Sequence, residues 1–186
     1  EHEKTTLFVD NDKLTSEVSA YLAMLSIKVL PYNEVGKYLK RDYFAYNILL
    51  DPNETNSYLV ACAKEGRAAV VLTTSPIPEM KAVKNETEIQ GFHNVMKRDG
   101  VAMVKFLKWL IPAVKAGHET EISLDKKLTY LRSQQPLFRD SSFDTIVGYE
   151  HHGAIVHYEA TPETDIAVEP HGFVLIDSGA QYQDGT

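Results

Sequence analysis

Cysteine is nearly absent. Cys62 is the only one in 186 residues, which rules out an internal disulfide and fits a reducing compartment. Set among Tyr58, Leu59 and Ala61 on an expected helix, it reads as a small buried hydrophobe rather than a nucleophile. Positive charge is scarce too. The 19 Lys and Arg face 26 Asp and Glu for a net charge of −7, and the cations are scattered. A nucleic-acid binder presents a basic stripe, so no nucleic-acid partner is expected. Long apolar runs are missing: the most apolar stretch, 101–114, is broken by Lys105, Lys108 and Pro112, and no membrane association is expected. No basic start with an apolar run and a small-residue cleavage site opens the chain, and the cytoplasm is the expected compartment. H-E-x-x-H, G-x-S-x-G and a glycine-rich phosphate loop are all absent, so classes that depend on them lose support.

What remains is an ordinary globular composition, 44% hydrophobic and 24% charged, in a length that allows one domain or two small ones. The first 75 residues alternate. Strands are expected at 6–10, 27–30, 47–50 and 68–72, and helices at 14–25, 34–41 and 54–64, the last stopping at Gly66. Buried-type strands alternating with helices predict a parallel α/β layer. Ser75-Pro76-Ile77-Pro78 is the clearest boundary, because two prolines so close do not fit a helix interior or a central strand. The expected domains are therefore 1–75 and 76–186.

Beyond that point the class changes to α+β. Asn85 with Glu88 forms a capping box ahead of Ile89, Phe92, Met96, Met103, Phe106 and Leu110, a helical stripe expected to end at Ile111-Pro112. A second helix follows Gly117, with Leu124, Leu128 and Leu131 on one stripe. Segments 143–149 and 153–158 read as a hairpin about a Glu150-His151-His152 turn, and 173–176 as a buried-type strand. The chain opens on Glu1 and closes without a terminating element, so both ends are expected to be cuts.

Two residues could carry chemistry. Asp177 ends a strongly apolar strand, a rigid mount that suits a metal ligand, although Asp-Ser-Gly is also an ordinary turn. His157 falls within 154–158 on the face opposite Val156 and Tyr158. An imidazole there could orient a substrate, shuttle a proton, bind a metal or simply be a satisfied core histidine. His151 and His152, adjacent, read as turn residues.

Several blocks together resemble aminopeptidase P of the M24 metallopeptidases. They are Ser142-Phe143-Asp144-Thr145-Ile146, Gly153-Ala154-Ile155-Val156-His157-Tyr158, and Leu175-Ile176-Asp177-Ser178-Gly179-Ala180-Gln181-Tyr182 followed by Asp184-Gly185-Thr186. Residues 78–89 resemble the start of that family's catalytic domain, and 1–75 the end of the creatinase-type domain that precedes it in three-domain members.

The resemblance implies the first half of a "pita-bread" catalytic domain that holds two divalent ions, manganese as a rule. In it Asp177 matches the first metal-binding aspartate, and His157 the catalytic histidine that contacts substrate and steadies the tetrahedral intermediate. A second aspartate, a histidine and two glutamates of the ligand set would lie beyond Thr186. The implied activity is hydrolysis of the bond between an N-terminal residue and a following proline by metal-activated water, with proline-containing peptides as partners and a homodimer left open. This piece alone is expected to be inactive. Prolidase, or a metal-free pita-bread binding module, is the alternative. One departure stands out: Glu150-His151-His152 occupies a turn where the family carries a small residue and Asn.

Overall fold

Thr6–Val9 (β1) and Lys28–Pro31 (β2) run parallel, with Leu7 opposite Val29 and Phe8 opposite Leu30. The helix between them, Ser16–Met24 (α1), starts where the Thr15 side chain accepts from Val18 N at 3.2 Å. Asn47–Leu50 (β3) and Ala69–Leu72 (β4) repeat the parallel pairing. After a short helix, Val35–Leu39 (α2), the crossover helix Ser57–Glu65 (α3) is capped by Asn56 and closes at Gly66. The computed structural model describes residues 5–41, 43 and 46–186. Its contacts divide the chain into two compact units between Ala82 and Val83.

Asp51 fastens the end of the first unit's second sheet. Its Oδ1 accepts from Asn53 N at 2.9 Å and its Oδ2 from Ser75 N at 2.7 Å, so one carboxylate joins the end of β3 to the segment after β4. These two backbone donors, Ser75 first, hold its pKa below the ordinary carboxylate value against the opposing effect of burial. The proline pair does not exclude a helix. Ile77–Ala82 (α4) carries Pro78 in its first turn, where the missing N–H has no intrahelical acceptor to lose.

The second unit opens with Glu86–Ala116 (α5). Asn85 and Glu88 form the reciprocal capping box, Glu88 N to Asn85 Oδ1 at 2.9 Å and Asn85 N to Glu88 Oε2 at 2.8 Å. The helix does not stop at Ile111-Pro112. Pro112 lies on the exposed side of its last turns, where the carbonyl freed four residues back meets water, while Val114 keeps the end of the helix buried. Gly91 lets the tail come close: a Cβ there would run into the Asp184 carbonyl.

Glu121–Ser133 (α6) begins at Thr120, whose side chain caps Ser123 N and whose N–H donates to Ser123 Oγ. Phe138–Ser141 (β5) pairs antiparallel with Ala180–Tyr182 (β8), and Ile146–Tyr149 (β6) pairs antiparallel with Val174–Asp177 (β7). The main core gathers Phe106 and Val114 of α5, Leu124 and Leu128 of α6, Val147 and Tyr149 of β6, and Val168. A smaller cluster joins Val95 to Ala180 and Tyr182.

The expected hairpin of 143–149 with 153–158 is not formed. Residues Glu150–Ala154 make a 3-10 turn, and 155–158 belong to no strand. The partner of β6 is instead β7, and the turn folds back across β6 at Gly148, where a Cβ would stand 2.8 Å from Gly153 N. His157 has φ 54°, a left-handed conformation that a side-chain-bearing residue in a strand does not adopt.

Candidate active site

Strand β7 presents Asp177. Val174 and Ile176 pack on the main core, so Leu175 and Asp177 point to the other face. In the antiparallel register Asp177 lies opposite Ile146 and Leu175 opposite Gly148. Gly148 is where the 150–154 turn crosses, and a Cβ on Gly153 would stand 3.6 Å from Leu175 Cβ, in ordinary van der Waals contact. The segment leading to His157 therefore lies over the Asp177 face of the ribbon. Both side chains line one cleft of roughly 410 Å³, together with Phe143, Asp144, Ile146, Tyr158 and Glu159.

The wall behind this cleft is charged and buried. Glu121, at the start of α6, is 0% exposed. Its Oε1 accepts from Tyr149 N at 2.7 Å, its Oε2 accepts from the Tyr158 hydroxyl at 2.9 Å, and His152 Nδ1 lies 2.9 and 3.0 Å from the two oxygens. A carboxylate only accepts, so Nδ1 carries the hydrogen. Burial raises the Tyr158 pKa and the Glu121 bond adds to the rise, while the Thr164 hydroxyl pulls the other way.

At the far end of α6, Arg132 is buried and donates to Asp99 and to Ser178 O at 3.5 Å, the residue after Asp177. Asp99 also accepts from the Tyr182 hydroxyl at 3.0 Å. Burial, with that bond second, pushes Tyr182 up to about 12. Arg98 pairs with Asp184 beside the same ring.

Asp177 and His157 were the two positions singled out in the sequence, and the fold brings them to one cleft. Asp144 and Glu159 join them there. Asp144 sits in one of the resembling blocks but nothing in its spacing marks it. Glu121 and Arg132 were not legible as buried groups, since an acid in a helix's first turn and a base in its last are common surface features. His152, read as a turn residue, lies in the turn and also contacts Glu121.

For a metal ion the residues here are too few. Among the described residues no three His, Cys, Asp or Glu side chains converge as a metal site requires. Asp177 offers one carboxylate, and the described residues do not complete a centre around it.

Comparison with known proteins matches residues 90–186 to metallopeptidase family M24 and residues 1–88 to the creatinase/prolidase N-terminal domain. The chain belongs to the M24 family. It is a creatinase-type N-terminal domain followed by the first part of a pita-bread domain. Xaa-Pro aminopeptidase 1 of Dictyostelium discoideum is 41% identical and aligns with 100% of this chain over 30% of its own length. Aminopeptidase P2 of Arabidopsis thaliana is 36% identical with the same coverage. The chain thus spans about 30% of the curated relatives it matches.

Among solved structures, an X-prolyl aminopeptidase of Caenorhabditis elegans, a cytosolic enzyme with a di-nuclear active site, superimposes with a TM-score of 0.86. That match has 32% identity over 97% of this chain and 30% of that one. A Bacillus anthracis Xaa-Pro dipeptidase reaches a TM-score of 0.70 at 19% identity over 96% of this chain and 47% of its own, a likeness of fold. No helix among the described residues is long and apolar enough to cross a membrane.

Proposed function

We propose that the protein of which this chain forms part is a cytoplasmic Xaa-Pro aminopeptidase, releasing an N-terminal residue from peptides with proline in second place. The observation that carries this reading is the placement of His157 and Asp177 in one cleft on one face of the β6–β7 ribbon. Its support comes from relatives named Xaa-Pro aminopeptidase 1, aminopeptidase P2 and X-prolyl aminopeptidase, which cover 97–100% of this chain. Residues 1–75 are the end of a non-catalytic domain and 76–186 the first half of the catalytic one.

Within that enzyme Asp177 would be one ligand of a di-nuclear centre, with manganese as the metal. Such ions would supply an activated water. His157 faces the scissile carbonyl and donates a hydrogen bond as negative charge develops on its oxygen, a contribution of about 2.7–4 kcal/mol at such sites. The peptide bond to proline has no N–H, so recognition rests on the shape of the cleft rather than on a donor from the scissile amide.

The test uses the full-length, manganese-loaded protein and compares Xaa-Pro-Xaa with Xaa-Pro. Release of the first residue from the tripeptide, faster than cleavage of the dipeptide, is expected. Preference for the dipeptide would make the enzyme a prolidase, and metal-loaded protein without turnover on either would be a binding module.

A further inference from the structure

Residues 149–158 form a loop whose two ends meet at one buried carboxylate. Tyr149, the last residue of β6, donates its N–H to Glu121 Oε1 at 2.7 Å, and Tyr158 donates its hydroxyl to Oε2 at 2.9 Å. His152, midway, sits on both oxygens and lies against the Tyr158 ring at 4.4 Å between centroids. Immediately inside each end is a residue in the left-handed region: Glu150 at φ 49° and His157 at φ 54°. Neither is glycine, and such backbones persist only where neighbouring contacts over-determine them. Three of those contacts converge on Glu121, from Tyr149 N, His152 Nδ1 and the Tyr158 hydroxyl, while Glu150 N donates to Phe173 O at 3.0 Å and the Tyr158 hydroxyl also meets Thr164. Exposed His157 itself makes no hydrogen bond among those described for this loop, so its direction is set by the residues on either side.

We infer that Glu121 is a positioning residue: it holds the 149–158 loop in the strained conformation that aims His157 into the Asp177 cleft. This rests on the role proposed above for His157. A fully buried carboxylate with three protein donors is costly to desolvate, and a purely structural helix start needs no such group, because Thr120 and Ser123 already cap α6. The energetic commitment goes to the loop.

The experiment uses full-length, metal-loaded protein and a double-mutant cycle of Glu121→Gln with His157→Ala. Glutamine keeps the shape and one acceptor for Tyr149 N but presents an NH2 to the His152 N–H. Alone, it should lower kcat on Xaa-Pro-Xaa by about 10–100-fold with KM changed less than about threefold, as expected for a donor displaced from its target. In the His157→Ala background the same change should cost less than about twofold, since a residue acting through His157 has nothing left to act on. Hydrogen exchange of residues 149–158, read by mass spectrometry without substrate, should be faster in Glu121→Gln.

Equal losses in both backgrounds, or unchanged exchange, would overturn the inference. Tyr158→Phe, which removes one hydroxyl and keeps the ring, carries the same cycle if Glu121→Gln does not fold. Wild-type protein without turnover would overturn the aminopeptidase reading instead. Exchange would then decide the positioning by itself, faster exchange upholding it and unchanged exchange ending it.

Discussion

Arg132 meets Asp99 in a two-pronged pair, Nε to Oδ1 at 2.9 Å and Nη2 to Oδ2 at 3.1 Å, linking the last turn of α6 to the middle of α5. The arginine is buried and the aspartate partly so, and the same guanidinium reaches Ser178 O. Removing it leaves Asp99 with the Tyr182 hydroxyl alone among the described donors and takes one bond from Ser178 O. Arg132→Met should destabilise the second unit by about 3 kcal/mol, the low end of the cost of breaking a buried pair. Arg132→Lys, which keeps the charge and loses the fork, should fall between. Urea unfolding reads both, and a loss under about 1 kcal/mol for Arg132→Met would show the pair to be a surface-grade contact.

Tyr182 gives the second unit an alkaline limit. Its folded pKa of about 12 lies above the ordinary tyrosine value. The neutral hydroxyl is therefore favoured in the fold. Its contribution is intact below about pH 10 and is lost as pH rises through the folded value. Tyr182→Phe should destabilise at pH 8, with the gap to wild type shrinking between about 10 and 12. Absorbance titration of the 10 tyrosines should lose its latest step in the variant. Persistence of that step would assign it elsewhere.

Asp51 gives the first unit an acid limit, with the opposite sign. Its lowered pKa means the carboxylate form is the stabilising one. The contribution is present above about pH 3.9 and disappears as pH falls through the folded value. Asp51→Asn should lower the melting temperature at pH 7 and approach wild type as pH falls below the ordinary carboxylate value. A gap that stays constant with pH would mean the bonds to Asn53 and Ser75 do not depend on charge.

Site variants should separate the two proposed roles in the full-length protein. His157→Ala should lower kcat by about 100- to 1000-fold with bound manganese unchanged. Asp177→Asn should lower manganese content as well as activity. Metal loss in His157→Ala would make the histidine a ligand rather than a substrate-facing donor.

The 186-residue chain by itself should titrate with manganese without saturable binding at micromolar concentrations and should not hydrolyse Xaa-Pro-Xaa. One carboxylate of the expected set does not hold the ion against water, and catalytic sites use about three protein ligands. Calorimetry and a peptide assay beside the full-length enzyme check this. Turnover within about a hundredth of the full-length rate would relocate the active site.

Local signals in the chain were readable where local energetics decide. The Asn85–Glu88 box and the Gly66 stop need only neighbouring residues to form, and the structure has each. Pro112 was misread because an exposed last turn tolerates a lost hydrogen bond, which depends on which side of the helix faces water. The 153–158 segment was misread for a longer-range reason. Its alternation suits a strand, but β6 takes β7 as its partner from 25 or more residues away, and Glu121 captures Tyr158. His157 and Asp177 were legible only as two residue types at apt places, and the structure adds that they line one cleft. What lies behind them, Glu121 bonded to Tyr149, His152 and Tyr158, and Arg132 bonded to Asp99 and Ser178 O, is long-range contact that no spacing reveals.

Gly91 faces the Asp184 carbonyl with only a hydrogen atom between backbone and backbone. The thickness of that one position on α5 fixes how the last residues lie, since a Cβ on Gly185 would stand 3.2 Å from Val95, one turn further along, and 3.7 Å from Phe92, the next residue. Alanine at 91 would act as a shim, lifting the tail from the helix and loosening Arg98 from Asp184. The heading of the backbone at Thr186 is thus steered by a residue some ninety positions upstream, in an element with no part in the cleft.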